Sequence, residues 1–283
     1  VQGIAFIVTS ALSGLAIGLV GMGWTLALAI VLTALPLVHL LFVRIPEPAP
    51  APDPGSKILD IRGAAAAIRA VPGLFALILF STFNNLIGGL YIALMDPYGL
   101  ELFPVELWGT VLAVTATGFL IGGGIVAAKG LGRNPIRTLL LAVMAMGLLG
   151  AAFTFREWWW LYAVGIWAYM TLVPVIEAAE QTVIQKVVPF ERQGRVFGAA
   201  TALEVSTGPI TAFAIAPIAE FWVIPYLRTP DGERAWSWLL GEGEMRGIAL
   251  IFLAGGLVMV AAALAAFLTR SYRTLSAEYR TAP

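Results

Sequence analysis

Acidic side chains set inside otherwise apolar stretches are the residues of this sequence with the most chemistry to offer. Glu204 is flanked by Thr201, Thr207, Gly208 and Thr211, which recur at helical spacing and so form one polar stripe. An ionised side chain in the middle of a membrane span costs about 2.5–3.5 kcal/mol on insertion scales, so a carboxylate there needs a purpose. Either Glu204 is a protonated residue tied to another helix, or it faces a cavity and carries a proton or a counter-charge for a cationic ligand. Glu177, Glu180, Gln181 and Gln185 share a second face that begins just after Pro174. Two carboxylates three residues apart repel when both are ionised, which suits carrying a proton or holding a cation; a solvated vestibule is the alternative. Counting back from the turn near Gln193 puts Glu180 and Glu204 at comparable depth, within sight of one another. Ser81, Asn84, Asn85, Gly88 and Tyr91 make a third polar face, for substrate contact or for hydrogen bonds between helices.

Other chemistries find little support. There are no cysteines, hence no disulfide, thiolate metal site or Cys nucleophile. The one histidine, His39, cannot form a histidine metal cluster alone and reads as an interfacial residue. No HExxH, Ser–His pair or phosphate loop is present, which tells against a membrane-embedded enzyme. A formal net charge of zero offers no basic surface to nucleic acid. No cofactor or metal is expected.

The elements that must position these residues are membrane spans. Hydrophobic residues make up 59% of the 283 and DEKR only 12%, with a mean hydropathy of +0.88; soluble domains carry about 25% charged residues. A helical span needs about 20 mostly apolar residues. Eight such blocks are predicted, at about 3–20, 24–43, 73–95, 105–128, 136–155, 158–184, 196–219 and 247–269. Runs this long lack the short alternation of a membrane barrel, so the fold class is all-α, a polytopic transmembrane helical bundle. The chain starts at Val1 directly in an apolar block, without Met or a basic leader, and is expected to be a fragment.

Between the spans, a Pro- and Ala-rich stretch (IPEPAPAPDPGSK) precedes KILDIRGAAAAIRAV, which reads as a short amphipathic helix at the membrane surface. The connection 220–246 carries Trp222, Tyr226, Trp236 and Trp238, and Trp158, Trp159 and Trp160 mark the same outer interface. Thirteen of the 17 Lys and Arg fall on one side of the spans and four on the other. The rich side is expected to be cytoplasmic, so the first block runs from inside to outside. Gly14/Gly18 and Gly118/Gly122, four residues apart, suit close helix contacts. Val8-Thr9-Ser10-Ala11 and Val205-Ser206-Thr207-Gly208 form a weak internal echo, as in transporters built from two related halves.

The stretch Gln185-Lys186-Val187-Val188-Pro189-Phe190-Glu191-Arg192-Gln193-Gly194-Arg195-Val196-Phe197 resembles the loop between helices 10 and 11 in the macrolide-efflux-like, drug:proton antiporter branch of the major facilitator superfamily. Gln185, Pro189, Glu191, Gly194 and Arg195 are the motif positions that carry the likeness. Ala216-Pro217-Ile218-Ala219-Glu220 is similar to that family's Gly-Pro-Leu-Ala-Asp, and 124–133 (GIVAAKGLGR) to a degenerate form of the superfamily loop motif without its acidic residue. Gly14-Leu15-Ala16-Ile17-Gly18 is loosely like the antiporter motif of helix 5, with Leu19 where that motif has Pro.

The resemblance implies helices 5–12 of a twelve-helix fold. Residues 1–43 would be the last two helices of the N-terminal bundle, 44–72 a cytoplasmic linker, 73–269 the C-terminal six-helix bundle and 270–283 a cytoplasmic tail. It implies a monomeric, multi-pass secondary transporter of the plasma membrane, coupled to protons and exporting drugs or other amphipathic small molecules. Uptake of a metabolite is the alternative, ahead of a membrane-embedded enzyme or a channel. The candidate coupling or substrate residues are Glu204, Glu177, Glu180, Asn84, Asn85, Tyr91 and Thr207.

Overall fold

A computed structural model describes residues 8–9, 12–13, 16–43, 61–241 and 245–282. Half of the predicted span 3–20, including Gly14, and the proline-rich part of the linker lie outside the described residues.

Among the described residues, seven helices are long and apolar enough to cross a membrane. The helices are α1 (Met22–Phe42), α2 (Ile61–Ala70), α3 (Leu74–Leu102), α4 (Val105–Lys129), α5 (Pro135–Ala152), α6 (Trp159–Val187), α7 (Phe190–Ile218), α8 (Pro230–Leu240), α9 (Arg246–Leu268) and α10 (Arg270–Thr281). In hydrocarbon every backbone N–H and C=O must be satisfied within the segment, and long apolar helices meet that demand. Punctuation is local. Gly130 and Gly132 take φ of 66° and 73° in the turn after α4, a region that favours glycine. The Asn134 side chain then accepts from the Arg137 N–H at 3.2 Å, and Pro135 opens α5.

The chain is an all-α polytopic membrane-helix bundle. Helices α4 and α6, α5 and α9, α5 and α6, and α3 and α7 make its main pairings. Small residues allow the close approaches. A Cβ on Gly118 or Gly122 would run into the α6 backbone at Trp167 and Thr171, the close contact expected from their spacing. Gly147 on α5 and Gly256 on α9 each face the other's carbonyl oxygen, a reciprocal contact that sequence reading did not single out. By contrast, α1 buries none of its residues, and His39 on it is exposed.

Three segments differ from expectation. The seventh predicted span (196–219) is longer: α7 passes through Pro209 and Pro217 into a π-helical turn, Ala219–Val223, and ends with Ile224–Leu227. A wider turn leaves room to continue past Pro217, where a missing N–H would otherwise favour a stop. The described part of the connection 220–246 is therefore largely helical, and α8 caps the end of the bundle. Arg246 pairs with Glu233 at 3.0 Å and donates to Ser237 Oγ at 2.8 Å, while Arg156 Nε donates to the Trp238 carbonyl at 3.2 Å. Residues 270–281, expected as a tail, form α10 and bury Leu275 and Ser276 against the bundle. Lys186 at the end of α6 sits 4.7 Å over the Tyr279 ring, and Gly73 at the start of α3 leaves space for Leu275. The amphipathic linker helix α2 likewise buries Ala64, Ala67 and Ile68, and it packs on α7.

Candidate functional site

Two helices, α6 and α7, bring the acidic residues together, and α3 faces them. Pro174 lies inside α6, and one to two turns later the same helix presents Glu177 and Glu180. After Val187 the chain reverses through Pro189 into α7, and Gln193 closes this reversal. Its side-chain amide donates to the carbonyl oxygens of Gln185 at 2.8 Å and Val188 at 3.0 Å, satisfying the open end of α6. The reversal sets α6 and α7 antiparallel, so residues counted equally far from it lie at similar depth. Glu204 on α7 thereby comes within electrostatic reach of both Glu180 and Glu177.

Burial separates the three carboxyl groups. Glu180 is 8% exposed, Glu204 is half-buried and Glu177 is exposed. From α3, Ser81 (3% exposed) also faces Glu180. Asn84 lies one turn further along α3, and Asn85 uses its amide to donate to the Ser81 carbonyl at 3.1 Å. Glu180 Oε1, Ser81 Oγ and Asn84 Oδ1 are sealed from the surface, and the Ser81 hydroxyl and the Glu204 carboxyl both lie within hydrogen-bonding reach of the Glu180 carboxyl. Buried polar groups are costly unless paired, and the gathering of two carboxyl groups and a hydroxyl with no basic residue makes this layer the candidate site.

The rest of the polar stripe on α7 divides by role. Thr207 and Thr211 are buried: Thr207 Oγ1 donates to the Glu204 carbonyl at 2.6 Å, and Thr211 Oγ1 to the carbonyls of Leu86 on α3 and Thr207, both at 2.9 Å. Gly89 on α3 leaves the space that Thr211 fills. Thr201 and Gly208 are exposed and line the open side of the helix.

Tyr91 shares a stripe with Asn84 in the sequence but not a location in the fold. Its hydroxyl donates to the Phe252 carbonyl on α9 at 2.7 Å, and its ring stacks on Phe252 with centroids 4.9 Å apart. It belongs to an aromatic layer nearer the other end of the bundle, with Phe153, Tyr162 and Tyr169. Of the loop motif, Gln185, Pro189, Glu191, Gly194 and Arg195 are all exposed around the α6–α7 turn, with Glu191 in the first turn of α7. Gln193, which ties that turn together, carried no role in the sequence reading beyond marking the turn. A separate groove of about 330 Å³ lies between α4 and α6, lined by Thr110, Val114, Thr115, Val164 and Trp167 among others.

A family model described as Major Facilitator Superfamily matches residues 1–212. The chain belongs to the Major Facilitator Superfamily. That superfamily is one of transporters, and among the described residues no group of three or more His, Cys, Asp or Glu is placed to hold a metal ion. Among solved structures, the chain is similar to a bacterial homolog of the human lysosomal transporter Spinster, crystallised inward-facing and unoccupied. The two align over 99% of this chain and 65% of that one, at 17% identity and a TM-score of 0.46, so this chain spans 65% of that protein's length. No curated protein gives a significant match. Within the superfamily, the acidic layer lies in a multi-pass membrane protein, on helices that share one bundle.

Proposed function

We propose that the chain is the C-terminal part of a secondary active transporter that exports drugs or other amphipathic small molecules in exchange for protons. The observation that carries this reading is Glu204, half-buried on α7 and facing the deeper Glu180 on α6, with no basic residue among the electrostatic neighbours of either. A carboxyl group so placed can take up a proton from one side of the membrane and release it to the other, or exchange it for a cationic substrate. The likeness of 185–197 to the drug:proton antiporter loop supports efflux. Leu19 departs from the helix-5 antiporter motif, which has Pro there, and so does not add to the case for export; uptake of a metabolite through the same fold is the second reading.

In the arrangement proposed, residues 1–43 and 73–269 belong to two bundles that rock about a shared central cavity, joined by 44–72. The end that carries α2, the α6–α7 turn and α10 faces the cytoplasm of a plasma-membrane monomer, following the thirteen-to-four split of basic residues. Cysteines placed at Asp231 and Arg62 check this orientation: a membrane-impermeant thiol reagent on intact cells should label 231 and spare 62. The reverse pattern would invert the topology.

Function is tested in inside-out vesicles containing the full-length protein, with a pH-sensitive dye. Adding a cationic amphipathic drug should release protons from the vesicle interior in a saturable manner. Drug accumulation that saturates but moves no protons would remove proton coupling. Passive, non-saturating flux would remove the transporter reading altogether.

A further inference from the structure

Away from the acidic layer, the end of the bundle that carries α10 holds a groove with an apolar floor. Leu77 and Phe80 come from α3, Leu140 from α5, Ala266 from α9, and Tyr272 and Leu275 from α10. The lining runs from Gly73 to Phe80 along α3 and from Ile136 to Leu140 along α5, so the groove extends from the helix ends toward the membrane interior. Its rim is basic. Arg137 follows the lining residue Ile136, Arg270 sits between Thr269 and Ser271, and Arg273 follows Tyr272. All three arginines are exposed, and none forms an ion pair with a described carboxylate.

These arginines stand where their own helices disfavour them. Arg137 lies in the first turn of α5, and Arg270 and Arg273 in the first turn of α10; neither turn holds an acidic residue. A helix start is the positive end of the backbone dipole, which repels cations and holds anions. The two starts lie side by side, since the Asn134 amide at the cap of α5 donates to Ser276 Oγ on α10 at 3.4 Å. The general excess of basic residues at this end accounts for arginines on this side of the membrane, but not for their place in two adjacent first turns. An anion held between them removes the conflict. A free phosphate would meet the arginines and leave the apolar floor uncovered; an uncharged lipid would do the reverse. A phospholipid with a negative headgroup meets both demands, with its phosphate at the rim and an acyl chain along Leu77, Phe80 and Leu140.

We propose that this groove binds one anionic phospholipid from the adjoining leaflet, with its phosphate held by Arg137, Arg270 and Arg273. The site is independent of what the transporter carries. The lipid touches α3, α5, α9 and α10 at once, and so braces α10 against the bundle.

Native mass spectrometry of the full-length protein in detergent tests the site, with dioleoylphosphatidylglycerol and dioleoylphosphatidylcholine as probes. One phosphatidylglycerol should bind saturably, at least fivefold more tightly than phosphatidylcholine. Arg270→Gln combined with Arg273→Gln should abolish that preference and leave thermal unfolding unchanged, because both side chains are exposed. Ala76→Phe, which fills the groove, should weaken phosphatidylglycerol binding several-fold. Arg192→Gln, in the first turn of α7 beside the acidic Glu191, should leave it as in the parent. Equal affinity for the two lipids, or an equal loss of preference in Arg192→Gln, would overturn the site in favour of diffuse surface charge. Displacement of the lipid by glycerol 1-phosphate at comparable concentration would overturn it in favour of a soluble anion.

Discussion

The two polar layers of this bundle use their polar groups in opposite ways. In the aromatic layer three tyrosine hydroxyls donate across elements to backbone carbonyls: Tyr91 to Phe252 at 2.7 Å, Tyr162 to Met95 at 2.8 Å and Tyr98 to Thr154 at 3.4 Å. Their rings interlock with Phe153, Trp108 and Phe252 at centroid distances of 4.8–6.2 Å. In the acidic layer the Glu180 carboxyl meets other side chains, the Glu204 carboxyl and the Ser81 hydroxyl, and none of its electrostatic neighbours is basic. A polar layer tied to backbone carbonyls clamps helices together; on the proposed function, one built from carboxyl groups within reach of each other gains and loses a proton. On that reading, rigidity belongs to one half of the bundle and exchange to the other.

The most severe way to break the comparison is to remove a ring from the clamped layer. Tyr162 is fully buried and touches Tyr98, Trp108 and Phe153. Tyr162→Ala should cost about 4 kcal/mol, comparable to other large-aromatic truncations, and should appear as a large drop in thermal stability and in the yield of monodisperse protein. An unchanged melting profile would mean that this layer is not the clamp.

A gentler change sharpens it. Tyr91→Phe keeps the stack on Phe252 and deletes one hydrogen bond, for an expected loss of about 1 kcal/mol. Thermal unfolding should shift modestly, and saturable transport should persist. Loss of transport at unchanged stability would move Tyr91 into the substrate path, the role its sequence stripe first suggested.

Why the sequence ran the two layers together is instructive. Ser81, Asn84, Gly88 and Tyr91 fall on one face of α3 by helical spacing, and spacing alone cannot tell which neighbour each residue meets along a helix of 29 residues. The pairing of Glu180 with Glu204 was legible because both can be counted from the same tight turn, which fixes relative depth. The long spans were legible through length and apolar content. The caps were not: α8 and α10 are 11 and 12 residues long, rich in charge, and resemble loop or tail until their buried Leu240 and Leu275 are seen packed against the bundle. The extension of α7 beyond Pro217 was hidden for a different reason, since proline normally argues for a stop and only the π-helical turn absorbs it.

The central claim is that exchange belongs to the acidic layer. It is tested most directly by drug-driven proton movement in inside-out vesicles, comparing the parent, Glu204→Gln and Tyr91→Phe at matched protein levels. Glu204→Gln preserves side-chain shape and removes the ionisable group, so insertion and melting should stay as in the parent while coupled proton movement falls to background. Tyr91→Phe should retain it. Parental coupling in Glu204→Gln, at equal expression, would contradict the account and place the exchanging group elsewhere.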